Sequence, residues 1–490
     1  MLFNSYTFVF LFLPIVWAGF LLIGTRGHHR VAVSWLVAAS LFFYGWWNPA
    51  YLGLILGSML FNYALGTQLH SSENSSTSRK LLLLSGIAAN LGLLGYYKYA
   101  NFFIDNLNQI LSSPIEFGQV LLPLAISFFT FQQIAYLVDA YRGYTREYNF
   151  LQYCLFVTFF PQLIAGPIVH HKQMMPQFLS EATYRYNAKK VAQGLTLLTL
   201  GLFKKVIIAD KLSLYVHQVF NAADNGVALS PLEAWYGALC YTFQLYFDFS
   251  GYADMAIGIA LLFGITLPFN FNSPYKSLNI TDFWRRWHIT LSHFLRDYVY
   301  IPLGGNRKGE FRRYQNLLLT MLLGGLWHGA GWTFVIWGGM HGLMLAVNHL
   351  WQSLINRLQI PRLPSLLSNS LSWLLTFTAV VFAWVVFRAE NMDSALRVWQ
   401  AMLGLNPLSD GQGYFYNELF RRSSTITNWI SVLILTVLFL PNSLQIVGLA
   451  PGASRFRLKP NYVWILLISG LAITVILKMN NVSDFLYFRF

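Results

Sequence analysis

Charge is scarce in this chain. Only 11% of its 490 residues are Asp, Glu, Lys or Arg, against about a quarter in soluble proteins, and the mean hydropathy is +0.47. No stretch is long and polar enough to form a separate soluble domain; the most polar segments, 69–80 and roughly 405–426, are loop-sized. That excludes a module for nucleic acid and leaves any chemistry inside an apolar bundle or with a partner. The two cysteines, Cys154 and Cys240, both lie in apolar segments, which argues against a disulfide framework or a cysteine metal site. Gly-x-Ser-x-Gly, His-Glu-x-x-His, a Walker loop and a dinucleotide fingerprint are all missing. A serine nucleophile elbow, a zinc peptidase and an ATP-driven pump therefore have no support. No internal repeat and no β-barrel alternation are visible.

What is abundant is apolar sequence. Long segments recur at 7–25, 31–46, 50–67, 81–97, 119–138, 151–169, 190–208, 233–247, 252–269, 315–330, 332–350, 370–387, 428–448 and 462–478. A helix needs roughly 20 residues to cross a bilayer, so several qualify outright, and shorter ones read as tilted, re-entrant or buried. The expected fold is an all-α polytopic membrane protein of about 11–14 helices. The start, Met1 to Tyr6, is uncharged and no small-residue cleavage site follows, so segment 7–25 reads as a retained helix. Basic residues follow the first span (Arg26, Arg30) and the third (Arg79, Lys80), while the link Trp47-Asn48-Pro49 carries none. The positive-inside rule then places the N-terminus outside.

Residues 1–110 read as plain helices. From about 120 to 350, prolines and polar residues interrupt the apolar segments, as at Phe160-Pro161-Gln162 and Gln244 to Ser250. Such interruptions are tolerated only where they pack on protein or line a cavity, so this middle part should hold the site. Residues 1–118, 119–350 and 351–490 then divide one membrane-embedded domain into N-terminal helices, core and C-terminal helices, with an amphipathic stretch near 392–403.

Two histidines in the core directly follow tryptophans: Trp287-His288 and Trp327-His328. His328 lies in Met-Leu-Leu-Gly-Gly-Leu-Trp-His-Gly-Ala (321–330), apolar enough for the membrane interior. An ionisable group there is a functional candidate, with interhelical packing as the competing reading. The small residues around it permit close helix approach or leave room for a substrate chain. Segment 281–300 reads as one amphipathic helix whose stripe is Trp284, Trp287, Leu291, Phe294 and Tyr298. On it His288 would neighbour Trp284, Arg285 and Ser292. If His341 shared a helix with His328 it would face away, which favours a structural role. His170, His171 and His293 read as loop or interface residues. Asp248 and Asp254 read either as a paired-carboxylate proton relay or, with slightly more support, as marking a helix break before Tyr252.

The net charge is +14. Topology signalling and anionic lipid account for much of it. However, residues 276–313 hold eight basic side chains against three acidic ones, enough to neutralise a phosphorylated donor at the cytoplasmic face. A buried proton acceptor beside a basic, aromatic segment suggests acyl transfer to a hydroxyl.

The run Gln244 to Gly258, together with Phe283-Trp-Arg-Arg-Trp-His-Ile-Thr-Leu-Ser292, Leu295-Arg-Asp-Tyr298, Leu303-Gly-Gly-Asn306 and Gly324-Gly-Leu-Trp-His-Gly-Ala330, resembles the membrane-bound O-acyltransferases. Within them it is most similar to the bacterial alginate O-acetyltransferase branch, from Phe10-Leu-Phe-Leu-Pro14 to Phe387-Arg-Ala-Glu-Asn391. The resemblance implies a ring of helices around a central tunnel, His328 as the catalytic histidine and His288 as the second catalytic position. It also implies cytoplasmic acetyl-CoA as donor co-substrate with no bound cofactor or metal. The acceptor would be an exported polysaccharide or peptidoglycan, with a periplasmic SGNH-type partner and a place in the bacterial inner membrane. A lipid, protein or teichoic acid acceptor, or a conduit whose partner performs the esterification, are the alternatives. Arg285, Arg286 and Arg296 become candidates for the CoA phosphates. Trp284, Tyr246, Asp248 and Ser250, in the same motifs, become donor-side candidates.

Overall fold

The computed structural model describes residues 1–70, 75–111, 113–144, 149–359, 364–405, 423–450, 457, 459, 461–479, 483 and 485–486. Parts of both polar segments, at 71–74 and 406–422, lie outside the described residues. Among the described residues the chain is helical and contains no strand, so the all-α reading holds.

The first helices are α1 (Leu13–Gly24), continued backwards by a π-turn from Thr7, α2 (His29–Gly45), α3 (Ala50–His70), α4 (Ser76–Leu94) and α5 (Ile126–Tyr141). They are followed by α6 (Ala188–Leu202), α7 (Asp210–Asp224), α8 (Pro231–Leu262), α9 (Ile280–Arg286) and α10 (Ile289–Leu295). The chain continues through α11 (Glu310–His328), α12 (Trp332–Leu358), α13 (Ser365–Arg388), α14 (Met392–Met402), α15 (Ser423–Phe439) and α16 (Tyr462–Lys478). Among the described residues, six stretches are long and apolar enough to cross a membrane: Thr7–Gly24, Ala50–Leu69, Ser76–Asn108, Ala188–Asp224, Pro231–Leu262 and Ser365–Arg388. The chain is a multi-pass membrane protein. Segments such as 151–169, counted above among the apolar runs, form short helices (Phe150–Thr158, Phe160–Leu163) too brief to span.

Two corrections follow. The expected helix break before Tyr252 does not occur, because α8 runs unbroken from Pro231 to Leu262. Gly251 inside it costs roughly 1 kcal/mol of helix propensity, which burial of the surrounding helix offsets. Conversely, the single helix expected over 281–300 is broken at Trp287-His288 into α9 and α10, followed by a π-turn. His288 therefore does not neighbour Trp284 and Arg285 as it would on a continuous helix.

The chain divides into two compact units. The first comprises residues 1–202, 252–269 and 465–489. Its interior is largely aromatic, with Phe8, Phe12, Phe43 and Phe160 in mutual ring contact. Polar groups there pair across helices, as Asn62 does with Asn90. The second comprises residues 203–251, 270–464 and 490 and contains both Trp-His pairs. Its tightest element is the α11–α12 hairpin. A Cβ on Gly325 would stand 2.2 Å from the Phe334 carbonyl oxygen, and one on Gly338 would stand 2.3 Å from that of Met321. Only glycine lets these backbones meet, so the sequence Gly-Gly-Leu-Trp-His fixes where His328 sits.

Candidate active site

His328 is the last residue of α11; Gly329 turns extended, and α12 begins three residues later. Its imidazole is enclosed by Trp327, Trp337 on α12 and Phe387 on α13, with ring centroids at 5.0, 5.2 and 5.3 Å. His288 arrives from the α9–α10 junction. Its ring centroid lies 6.4 Å from that of His328 and 6.1 Å from that of Trp327. Phe249 of α8 closes another side at 4.8 Å. The two histidines, 40 residues apart in sequence, are 0% and 4% exposed. The fold thus brings the two expected histidines together.

His288 is unusual in its backbone. It adopts φ 42°, ψ 54°, a left-handed conformation that costs a non-glycine residue roughly 1–2 kcal/mol and tends to persist only where the surroundings enforce it. The enforcement is visible. Trp287 is buried among Phe271, Phe283 and Trp384. The loop 270–272 clamps both sides of the break, Asn272 N–H donating to the Arg286 carbonyl and Ile289 N–H to the Asn270 carbonyl, each at 3.0 Å. The Asn270 side chain completes the clamp: its Oδ1 lies 3.1 Å from His288 Nδ1 and 2.8 Å from Thr290 Oγ1. The junction lies outside the spanning helices, and burial pushes the His288 pKa down to about 3. Its imidazole is neutral at physiological pH.

The donor-side candidates scatter. Trp284 Nε1–H donates to His341 Nδ1 at 3.3 Å, inside an aromatic cluster with Trp337. Tyr246 packs on Phe271, Tyr275 and Trp287, immediately before His288. Ser250 is buried next to Phe249, and among the described residues its hydroxyl has no hydrogen-bond partner. Asp248 accepts from Lys205 at 2.7 Å, and Lys205 also reaches Asp210 at 3.0 Å. These three side chains form an ion cluster that is buried at Lys205 and Asp248 and half-buried at Asp210. Arg285 is exposed, Arg286 pairs with Asp282 at 3.0 Å and Arg296 with Asp297 at 2.7 Å. His341 is on α12, not on the helix of His328, and is separated from it by Trp337. Among the described residues no group of three or more metal-ligating side chains occurs.

Sequence reasoning missed Asn270, Phe249, Trp337 and Phe387 as parts of this site. The one available signal was an asparagine within the apolar stretch Leu267-Pro-Phe-Asn-Phe.

Two buried histidines in an aromatic enclosure within a multi-pass helical protein form the candidate site, and sequence comparison assigns the class of the chain. The family model described as MBOAT, membrane-bound O-acyltransferase family, matches residues 141–387, and the chain belongs to that family; it is an O-acyltransferase. A peptidoglycan O-acetyltransferase of Helicobacter pylori is 48% identical over 435 residues, covering 84% of this chain and 81% of that protein. A probable alginate O-acetylase AlgI of Pseudomonas aeruginosa is 44% identical over 407 residues, covering 82% and 75%. A teichoic acid D-alanyltransferase of Bacillus subtilis is 29% identical over 276 residues, covering 54% and 69%.

Proposed function

We propose that this protein transfers an acetyl group from cytoplasmic acetyl-CoA to hydroxyls of an exported polysaccharide or of peptidoglycan, with His328 as general base. The observation that carries the reading is the convergence of His288 and His328 in one buried aromatic enclosure. The names of the Helicobacter pylori and Pseudomonas aeruginosa relatives support an acetyl group and a cell-surface glycan.

In this mechanism His328 takes the proton of an acceptor hydroxyl as its oxygen attacks the thioester carbonyl. The new C–O bond forms, the C–S bond breaks, and the proton passes to the departing thiolate to give CoA–SH. The aromatic wall excludes water, which would otherwise divert the acetyl group to hydrolysis. His288 either hydrogen-bonds the acyl oxygen or orients the acceptor. Arg285, Arg286 and Arg296 are offered as phosphate contacts for the donor, and Tyr246, Trp284, Asp248 and Ser250 as walls and polar supports on its path. The protein would sit in the bacterial inner membrane with its N-terminus periplasmic, passing acetyl groups outward to the glycan with a periplasmic SGNH-type partner.

Membranes carrying the wild type or His328→Ala, given acetyl-labelled acetyl-CoA, test the reading. CoA release and base-labile label in the glycan fraction are expected from the wild type and not from the folded variant. A variant that still consumes donor and labels glycan would make the chain a conduit and sink the catalytic role. A wild type that ignores acetyl-CoA would sink the donor assignment.

A further inference from the structure

The amide of Asn270 holds more information than its distances. Thr290 N–H points at Asn270 Oδ1 at 3.3 Å, and the Thr290 hydroxyl donates to the same oxygen at 2.8 Å. A backbone N–H can only donate, so the oxygen, not the NH2, must face this side; a flipped amide would set donor against donor. The third neighbour of Oδ1 is His288 Nδ1, at 3.1 Å. A carbonyl oxygen can only accept, so the proton of that bond belongs to Nδ1. A neutral imidazole carries one N–H, and burial keeps this one neutral. Its Nε2 then holds a lone pair. The backbone of Asn270 is itself bonded to Ile289, so amide and imidazole are fixed to one rigid clamp.

We propose that Asn270 is a positioning residue that locks His288 in the Nδ1–H tautomer, so that His288 accepts a hydrogen bond from a donor group of the acceptor and cannot donate one to the acyl oxygen. His341 makes the contrast. There Trp284 N–H faces Nδ1, which puts the proton on Nε2, the opposite tautomer. The acceptor role rests on the reading of this site as the transferase centre; the tautomer does not. The proposal also narrows the substrate class. The proton of the attacking hydroxyl goes to His328, so His288 needs a second O–H or N–H close by on the same acceptor. Sugar rings carry such neighbours, whereas a simple long-chain alcohol does not.

The test is nitrogen NMR of the full chain in lipid nanodiscs with 15N-labelled histidine, His288 signals being assigned by their loss in His288→Gln. The expected wild-type pattern is a protonated Nδ1 and a bare Nε2. Asn270→Asp keeps an acceptor oxygen and should keep the pattern. Asn270→Leu removes it; the tautomers should mix and KM for the glycan should rise roughly tenfold, the scale of one lost hydrogen bond, with a smaller change in kcat. A wild-type spectrum showing Nε2–H overturns the proposal without any variant. An unchanged spectrum and KM in folded Asn270→Leu overturns it too. Transfer from acetyl-CoA with the wrong tautomer would sink this inference alone. The right tautomer without transfer would instead sink the functional reading and leave Asn270 as the positioning residue.

Discussion

The two Trp-His pairs share a dipeptide and little else. At 327–328 the backbone is the end of a helix, and the tryptophan packs against its own histidine at 5.0 Å. At 287–288 the helix has just stopped, the histidine is left-handed, and the tryptophan turns away into a cluster with Phe271, Phe283 and Trp384. His328 is packed among the rings of Trp327, Trp337 and Phe387. His288 is held by a hydrogen-bonded asparagine, which fixes one protonation state. The two histidines are thus supported by different surroundings. The shared dipeptide disguises that.

The largest expected break in the comparison is in rate. His328→Ala should lower the turnover of labelled donor by about 10²–10⁴-fold, the range of a lost general base. His288→Gln should cost less and act mainly on KM for the acceptor; steady-state assays with varied glycan separate the two. Equal loss in kcat at both positions would mean that both move protons.

Next in size are the supports. Gly325→Ala or Gly338→Ala drives a Cβ into a carbonyl oxygen of the facing helix, and should destabilise the hairpin carrying His328 by about 1–3 kcal/mol, read as a lower melting temperature in detergent. Lys205→Met takes the ammonium away from buried Asp248, and should cost about 3–5 kcal/mol. The double change with Asp248→Asn should recover part of that. No recovery would mean that Lys205 acts through packing alone.

A subtler contrast concerns backbone. At position 288, Gly should be more stable than Ala by about 1 kcal/mol because the residue is left-handed. At position 328, the last residue of a right-handed helix, Ala should be more stable than Gly by up to about 0.5–1 kcal/mol. Melting curves of the four variants decide it; the same sign at both sites would remove the claimed difference in conformation.

The last contrast is in acid. Burial holds the His288 pKa at about 3 and that of His171, in the short helix His171–Leu179, at about 4, against 6.5 unfolded. Between those values the unfolded chain binds protons that the folded one refuses. Stability is therefore complete above pH 6.5 and is lost as the pH falls below it, by up to about 1.4 kcal/mol per unit for each histidine. His171→Phe should flatten part of that slope while leaving the rate contrast between the two Trp-His pairs intact.

Much of this protein was legible in its residues. Scarce charge and recurrent apolar runs determine an all-α membrane protein, because buried backbone in lipid must bond within its own helix. A histidine in an apolar segment is costly enough to mark the site, and the motifs around His288 and His328 carry the family. Helix continuity was not legible. Gln244 to Asp254 looks like a break yet lies in α8, whose apolar window is buried throughout despite a mean hydropathy of 1.2. The apolar window within Ser76–Asn108, at 1.3, is 17% buried. Hydropathy measures transfer from water, and does not distinguish lipid from protein as the destination. Nor could the stripe over 281–300 reveal the left-handed turn at His288, because what enforces it is a loop 16–18 residues earlier that bonds to it only once the chain has folded. Local pattern selects the helices and the reactive residue types. The partner of Asp248, the conformation of His288 and its asparagine are decided by contacts distant in sequence, which only the tertiary structure supplies.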